Sequence, residues 1–309
     1  MTIDTIVIVN AGSGEGNDPA LIDRLAELLA GAGLHAKIDL AHGGDAIAAL
    51  VANAIAQRPR LIVAGGGDGT VSSVAAALVD TGIAFGVLPL GTLNHFAKDL
   101  GIPLELAGAV AVLAEGRLAR VDVGEVNERI FVNNSSLGLY PDIVRDRERQ
   151  QKRLGRGKWP ALAWATIAAL KRYPFLGVSL VVDGKAASRR TPFVFIGNNE
   201  YRMEGFAIGE RSTIDGGCLS LYVAQRPGRW RLLLLALRAL TGRLRQARDF
   251  DAMLATGIDI QSRRRRLRVA TDGEVTVMTP PLRYRVRPAS LIVMRPATDA
   301  AAPGSSSTP

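Results

Sequence analysis

Short apolar runs alternate with longer stretches of helical periodicity over about the first 120 residues of the chain. The short runs are rich in valine, isoleucine and leucine, which is typical of strands buried on both faces of a sheet; they lie at 6–9, 61–64 and 85–90. Apolar residues recur every three or four positions at 19–32, 44–57 and 104–115, and this spacing predicts helices. The alternation predicts a parallel sheet covered by helices.

The pattern changes near residue 121, where strand-like segments separated by turns replace the alternation. The segment 178–182 runs into Asp183-Gly184-Lys185, which is a hairpin signal. Further strands are predicted at 192–197, 218–224, 257–260, 267–270 and 275–278. Helical insertions are predicted at 144–173 and 229–249, and the Ala/Pro/Ser/Thr-rich segment 297–309 predicts a disordered tail. The fold class is therefore α/β plus β, with a β-sandwich-like second domain.

Glycine-rich loops follow the three buried runs of the first domain, with the sequences Asn10-Ala11-Gly12-Ser13-Gly14, Gly66-Gly67-Asp68-Gly69-Thr70 and Gly91-Thr92-Leu93-Asn94. A strand that turns through glycines into a helix presents backbone N–H groups at the positive end of the helix dipole, where phosphate binds. Parallel strands bring such loops to one sheet edge, which predicts a nucleotide site. Taken alone, the second loop is equally compatible with a structural turn in which Asp68 caps the helix.

Composition narrows the function classes. The chain has 309 residues, and its single cysteine and three histidines argue against disulfides and zinc. No apolar run approaches the ~20 residues that span a bilayer, and the start of the chain lacks a signal-like segment, so a cytoplasmic protein without a transmembrane segment is expected. A formal charge of +9 calls for an anionic partner. Aromatic residues do not interleave with the basic runs, so a membrane surface is favoured over nucleic acid.

Two basic segments of the chain each allow two interpretations. The segment 229–249 combines a leucine run with several arginines, and it is equally compatible with a helix lying on an anionic membrane and with a packed core helix. The run Arg263–Arg266 precedes a predicted strand. A solvated hairpin tip is favoured there over a patch for lipid headgroups or nucleic acid.

The three glycine loops resemble successive motifs of the diacylglycerol kinase catalytic domain. Further matches are Asp215-Gly216-Gly217-Cys218-Leu219 and Asp272-Gly273-Glu274, and the resemblance extends over about residues 3 to 295. It implies an N-terminal parallel α/β domain of the NAD kinase and diacylglycerol kinase type over 1–120, completed by a last strand within about 286–296. The β-rich domain over 121–285 would then accept the lipid substrate.

The resemblance also implies the site residues. The nucleotide-binding positions would be Asn10, Ala11, Gly12, Ser13, Gly14, Gly66, Gly67, Asp68, Gly69, Thr70, Thr92 and Asn94. Mg²⁺ would be bound by Asp68, and a structural Mg²⁺ by Asp215 and Leu219, although Gly216 stands where relatives often have a second aspartate. The general base would be Asp272 or Glu274, which the sequence leaves open.

The function implied is an ATP-dependent lipid kinase, with ATP and Mg²⁺ as cofactors and a diacylglycerol-like or sphingoid hydroxyl as acceptor. It would act as a peripheral protein at an anionic membrane surface, and a homodimer is compatible with the sequence. Two alternatives remain: a soluble dinucleotide or polyol kinase, and a non-catalytic regulator that binds nucleotide or lipid. Acyl-chain pockets have no spacing code, so the sequence does not name the lipid.

Overall fold

The computed structural model describes residues 4–12, 18–138, 176–182, 184–202, 210–211, 213–224 and 250–297. The chain divides into two compact units. The first runs to Val121 and takes up the chain again from Ser290, whereas the second spans Asp122–Ala289. The predictions for Ser13 and Gly14, for the insertions 144–173 and 229–249, and for the tail from 298 onwards concern residues outside the described ones.

Strands and helices alternate through the first unit, as its apolar pattern predicts. The elements are β1 (Thr5–Asn10), α1 (Pro19–Gly31), β2 (Ala36–Ala41), α2 (Gly44–Gln57), β3 (Leu61–Gly66), α3 (Asp68–Leu78), β4 (Ala84–Pro89), α4 (His95–Asp99) and α5 (Leu106–Glu115). The helix α1 begins as its sequence dictates, because the Asp18 side chain accepts the Ala20 N–H and Pro19 occupies the first turn.

A parallel sheet forms the centre of the first unit. Its strands are ordered β2-β1-β3-β4, and the last strand of the chain, β18 (Leu282–Arg295), pairs in parallel with β4 through Val293 and Phe85. The strands β3 and β4 are buried along their whole length. Because the strands are parallel, the loops after β1, β3 and β4 leave the sheet at the same edge.

The second unit is built from antiparallel strands. They are β5 (Arg117–Val126, which begins in the first unit), β6 (Arg129–Phe131), β7 (Asn134–Gly138), β8 (Leu176–Val182), β9 (Lys185–Thr191), β10 (Phe193–Asn198), β11 (Tyr201–Arg202), β12 (Glu210–Arg211), β13 (Leu219–Ala224), β14 (Phe250–Ala255), β15 (Gly257–Ser262), β16 (Leu267–Thr271) and β17 (Glu274–Met278). One sheet has the order β14-β13-β10-β7-β16-β17. The strands β15, β8 and β9 lie next to β18 in the order β18-β15-β8-β9.

The core of the second unit contains inward-facing side chains from both sets of strands. Val194, Leu221 and Ile258 are fully buried in this cluster together with Tyr284. Burial raises the pKa of the Tyr284 phenol far above its usual range, and the hydrogen bond with Ser135 offsets this only in part. The phenol therefore remains protonated and serves as a structural hydrogen-bonding group.

The predicted fold class is confirmed: a parallel α/β domain is followed by an antiparallel, β-sandwich-like domain. Several strands, β2 among them, were not predicted, and the last strand is longer than expected. The strand β2 was not predicted, because it lies at the sheet edge with half-exposed residues such as Lys37 and Asp39, which form an ion pair. The last strand begins at Leu282, before the predicted segment of about 286–296. Within the described residues, no helix is long and apolar enough to cross a membrane.

Candidate functional site

The loops after β1 and β3 are joined by a side-chain hydrogen bond in the first unit. Asn10, the last residue of β1, donates its amide to the hydroxyl of Thr70 in the first turn of α3, at 2.9 Å. The side-chain oxygen of Asn10 accepts the N–H of Gly12 at 2.9 Å. The Ala11 N–H donates a hydrogen bond to the backbone carbonyl of Ala41 at 2.9 Å. Asn10 therefore fixes the shape of the first loop relative to the start of α3.

Asp68 links the loop after β3 to the loop after β4. It is the first residue of α3, and one carboxylate oxygen accepts the backbone N–H of His95 at 2.7 Å. Gly67 occupies the N-cap position of α3, so the alternative in which Asp68 caps its own helix is not what the structure has. The second oxygen of Asp68 has no hydrogen-bond partner among the described residues. A half-buried carboxylate is thus held in place with one oxygen available.

Asn94 shapes the turn after β4. The residue is 8% exposed and adopts a left-handed conformation with φ of 52°. Its amide group donates to the carbonyls of Pro89 and Gly91, and its oxygen accepts the Gly91 N–H. Because both polar ends of the side chain are used inside the turn, Asn94 positions the loop. The neighbouring Thr92 is exposed, and it presents a hydroxyl at the same sheet edge.

The glycines of these loops fall into two kinds. A Cβ on Gly91 would meet the Cα of Gly67 at 2.4 Å, and a Cβ on Gly66 would meet the Thr70 side chain at 2.8 Å. Close packing therefore requires both. A Cβ on Gly69 would meet nothing within 4 Å, and its backbone does not adopt a positive φ. Local packing does not require glycine at position 69. Binding of an anion to the N–H groups at the start of α3 would require it, because a side chain there would hold the anion away from the backbone.

In the second unit, Asp272 anchors a chain crossing. Asp272 and Gly273 form the two-residue turn between β16 and β17, with φ of 47° and 87°. The Asp272 carboxylate accepts the backbone N–H groups of Val132 and Asn133 at 2.8 Å and that of Asn134 at 3.0 Å. Hydrogen bonds to backbone donors thus occupy both oxygens. Asp272 is a structural acceptor, which leaves it poorly placed to take a proton from a substrate.

Glu274 has the opposite environment, although it lies only two residues further on. It begins β17, and its side chain is 60% exposed. One oxygen pairs with the guanidinium of Arg129, which also donates to the hydroxyl of Thr271 at 2.8 Å. The other oxygen has no hydrogen-bond partner among the described residues. Of the two carboxylates that the sequence left open, Glu274 is the more exposed, and it is the one with an oxygen that no described residue occupies.

Asp272→Asn is expected to destabilise the second unit. The variant can keep the turn, because asparagine tolerates a positive φ, but an amide group replaces one of the two acceptor oxygens. Hydrogen bonds to a charged group contribute about 1.5–3 kcal/mol, so we expect the free energy of unfolding to fall by about 2 kcal/mol or more. Chemical denaturation of the variant beside Asp251→Asn, at a partly exposed strand position, measures this. Equal stability of the two variants would contradict the anchoring role.

Asp215 and Leu219 stand apart from these carboxylates. Asp215 is exposed, and its carboxylate accepts a hydrogen bond from the Thr213 hydroxyl, whereas Leu219 is fully buried in β13. Among the described residues, no cluster of three or more histidine, cysteine, aspartate or glutamate side chains is found. The structural Mg²⁺ site at Asp215 and Leu219 therefore stays a prediction.

The loop that contains Asp215 is fixed by the buried carboxylate of Asp122. Asp122 accepts the N–H of Gly217 at 2.6 Å and that of Ala289 at 2.9 Å. Burial raises the pKa of the nearby Cys218 thiol, and the carboxylates of Glu200 and Asp122 raise it further. The single cysteine is therefore a protonated and weak nucleophile.

Arg129, the partner of Glu274, is a residue that the sequence analysis missed. It lies in a strand of three residues, and it is separated from Glu274 by 145 positions. No spacing rule connects two residues so far apart. The strand β7, which follows β6 closely, pairs with β16, which leads into β17, and this pairing brings the guanidinium beside the carboxylate.

Comparison with known protein families assigns both parts of the chain. Residues 4–126 match the diacylglycerol kinase catalytic domain, and residues 143–295 match the YegS C-terminal NAD kinase beta sandwich-like domain. A crystal structure described as that of a diacylglycerol kinase from Bacillus anthracis superposes with a TM-score of 0.72 at 22% identity, covering 95% of this chain and 97% of the other. This likeness supports the same two-domain fold.

Curated relatives carry the description "Probable lipid kinase YegS-like". One from Klebsiella pneumoniae is 35% identical over 152 residues, which is 48% of this chain and 50% of the relative. The chain thus spans about half the length of that relative. Another from Pseudomonas putida is 29% identical over 265 residues, covering 80% of this chain and 81% of the relative.

Proposed function

Since the chain belongs to the diacylglycerol kinase family and combines its catalytic domain with a YegS-type C-terminal domain, we propose that it is an ATP-dependent lipid kinase. It transfers the γ-phosphate to a lipid hydroxyl of the diacylglycerol or sphingoid type. The observation that carries the proposal is the start of α3, where Gly69 leaves open space beside backbone N–H groups and Asp68 is held by His95. This arrangement suits the phosphates of a nucleotide.

The first unit contributes the nucleotide site. Asn10, Thr70 and Gly12 form one wall through their mutual hydrogen bonds, and Thr92 adds an exposed hydroxyl. Gly66 and Gly91 let the loops after β3 and β4 approach each other closely. In this assignment, the protein's share in phosphoryl transfer is chiefly to position the phosphates and to neutralise their charge.

Magnesium suits the donor set at Asp68. The carboxylate oxygen that has no partner among the described residues is a hard ligand, and Mg²⁺ is commonly bound by one or two carboxylates together with substrate phosphates. When bound, the ion neutralises phosphate charge. The residue's own contribution is to hold an oxygen at a fixed position, since its other oxygen is restrained by the His95 N–H.

Glu274 is assigned as the general base. Its accessible oxygen accepts the proton of the lipid hydroxyl while the hydroxyl oxygen bonds to the γ-phosphorus and the bond between that phosphorus and ADP breaks. Arg129 restricts the rotation of the Glu274 side chain by pairing with one of its oxygens. Thr271 in turn restricts the guanidinium. Arg129 is thus a positioning residue for the base.

An acceptor panel tests the proposal against the alternative of a kinase for soluble substrates. The purified chain is incubated with ATP and Mg²⁺, in parallel with dispersed diacylglycerols and sphingoid bases and with NAD and soluble polyols. ATP consumption that depends on a lipid acceptor is the expected result. Consumption only with a soluble acceptor would replace the lipid by a polar substrate, and consumption with none would leave a binding protein.

Gly69→Ala is expected to weaken ATP binding about tenfold without loss of stability. The new methyl group enters open space at the start of a helix, where alanine costs the fold nothing and even reduces the entropy of the unfolded chain. It would keep a phosphate away from the backbone N–H groups, and a lost hydrogen bond to a charged group is worth about 1.5–3 kcal/mol. Calorimetric titration with ATP measures the affinity.

Gly82→Ala is the matched control, since it also adds a methyl group in open space of the first unit. Its positive φ of 77° makes it the less stable of the two variants, yet its ATP affinity should equal that of the wild type. Wild-type ATP affinity in Gly69→Ala would remove the phosphate site from the start of α3.

A further inference from the structure

Arginines from two separate chain segments meet at one end of the antiparallel strands of the second unit. The register pairs Ser262 of β15 with Val178 of β8, and Val178 with Arg189 of β9. The run Arg263–Arg266, which follows β15, is thereby brought to the level of Arg189 and Arg190. All of these arginines are exposed. We call them the arginine surface.

A groove of about 730 Å³ runs through the arginine surface. Arg189, Arg190, Arg263 and Arg264 line it together with three serines, and none of its described lining residues is acidic or aromatic. Arg189 forms a long ion pair with Asp251, at 3.8 Å. Strong positive charge and several hydroxyl donors thus surround a shallow, open space.

The backbone of the arginine run is held by the sheet. Ser262 donates its hydroxyl to the Gly177 carbonyl at 3.2 Å, and the same hydroxyl oxygen accepts the Arg264 N–H at 3.3 Å. These bonds tie the run to β8 across the strand boundary. The start of the arginine run is therefore held in place by the fold. A solvated hairpin tip, which the sequence favoured for this run, does not require such bonds.

A second groove of about 350 Å³ shares Arg264 with the first and adds Arg266, Arg268 and Val277. Val277 is 59% exposed and stands opposite Arg268 in the pairing of β16 with β17. An apolar side chain beside arginines is the composition of protein surfaces that lie at the boundary between lipid headgroups and acyl chains.

We infer that the arginine surface docks the protein on the headgroups of an anionic phospholipid bilayer. The charge is complementary to lipid phosphates, and the grooves are open enough to admit them. Single-stranded nucleic acid fits less well, because its bases stack on aromatic side chains and none of the described lining residues is aromatic. The inference rests on the proposed function in one respect: a kinase whose acceptor is a lipid has to reach a membrane.

Vesicle binding of a triple variant tests the inference. Arg263→Gln, Arg264→Gln and Arg266→Gln are combined, because all three side chains are exposed and their loss leaves the core intact. The matched control combines Arg24→Gln, Arg58→Gln and Arg60→Gln, which removes the same charge from exposed positions of the first unit. Binding is measured by co-sedimentation with vesicles of phosphatidylcholine, alone or mixed with phosphatidylserine, at low and at high salt.

The wild type and the control should bind the anionic vesicles at low salt, and high salt should release them. Each arginine near an anionic surface contributes about fivefold to partitioning, so the triple variant should bind roughly 100-fold more weakly. Wild-type binding by the triple variant, or equal losses in both variants, would overturn the inference. If the wild type does not bind vesicles but binds an RNA oligonucleotide, and the triple variant loses this RNA binding, the inference is overturned in favour of nucleic acid.

The assay separates this inference from the proposed function. Phosphatidylserine has no free hydroxyl, and no ATP is added, so vesicle binding does not depend on phosphoryl transfer. In a companion assay with a short-chain, water-dispersed diacylglycerol, the triple variant should keep the wild-type kcat. A wild type that binds vesicles but phosphorylates no lipid would refute the kinase and leave the docking surface in place.

Discussion

Glu274→Gln is expected to lower kcat for lipid phosphorylation by about 10²–10⁴-fold, which is the usual contribution of a general base. Glutamine keeps the size of the side chain, and its amide oxygen can still accept from Arg129. It cannot accept a proton from the substrate hydroxyl. The affinity for ATP should be unchanged, because the phosphates are assigned to loops of the first unit. Initial rates at saturating ATP, and an ATP titration of the same preparation, measure both quantities.

Glu128→Gln is the matched control for this variant. Glu128 is an exposed glutamate in the hairpin between β5 and β6, directly before Arg129. Its replacement should leave kcat near the wild-type value. A kcat of Glu274→Gln within threefold of the wild type would move the base elsewhere and reduce the turn to a structural element.

Asp68→Asn is expected to lower kcat by roughly 10³-fold, since a bound metal contributes several kcal/mol of charge stabilisation in phosphoryl transfer. Asparagine is the better replacement than alanine, because its oxygen can still accept the His95 N–H that joins the two loops. The fold should therefore persist, while the charge that favours Mg²⁺ is lost. The thermal midpoint measured without ligand checks the first point.

A second measurement connects the loss to the metal. Mg²⁺ should increase the stabilisation of the wild type by ATP, and this increment should disappear in Asp68→Asn. Asp23→Asn, at an exposed position of α1, should behave like the wild type. An unchanged Mg²⁺ increment in Asp68→Asn would remove the metal from this carboxylate, whatever the activity.

Much of the fold follows from local pattern. The strands β3 and β4 are buried on both faces, so they are apolar throughout and could be predicted from a few residues. The strand β2 gives no such signal, because only one of its residues is fully buried. The last strand was predicted too short, because Arg283, Arg285 and Arg287 make its first half read as polar.

The sequence predicted those residues of the candidate site that belong to a recognisable pattern within one loop. Glycine spacing marks the start of α3, and the Asp272-Gly273-Glu274 turn marks two carboxylates. Which of the two is accessible depends on N–H groups about 140 residues away, and these come into reach only when β7 pairs with β16. The arginine surface depends in the same way on the register of three strands. Long-range pairing has no local code, so this information is absent from any short segment.

One measurement tests the central proposal most directly. The purified chain is incubated with a total bacterial lipid extract, Mg²⁺ and ATP whose γ-phosphate carries ¹⁸O, and the extracted lipids are analysed by mass spectrometry, with Glu274→Gln treated in parallel. A lipid kinase should yield a lipid heavier by one phosphate group that contains the labelled oxygens, and the variant should yield far less of it. If the protein binds ATP but the extract contains no labelled lipid after incubation, the result would contradict the proposal.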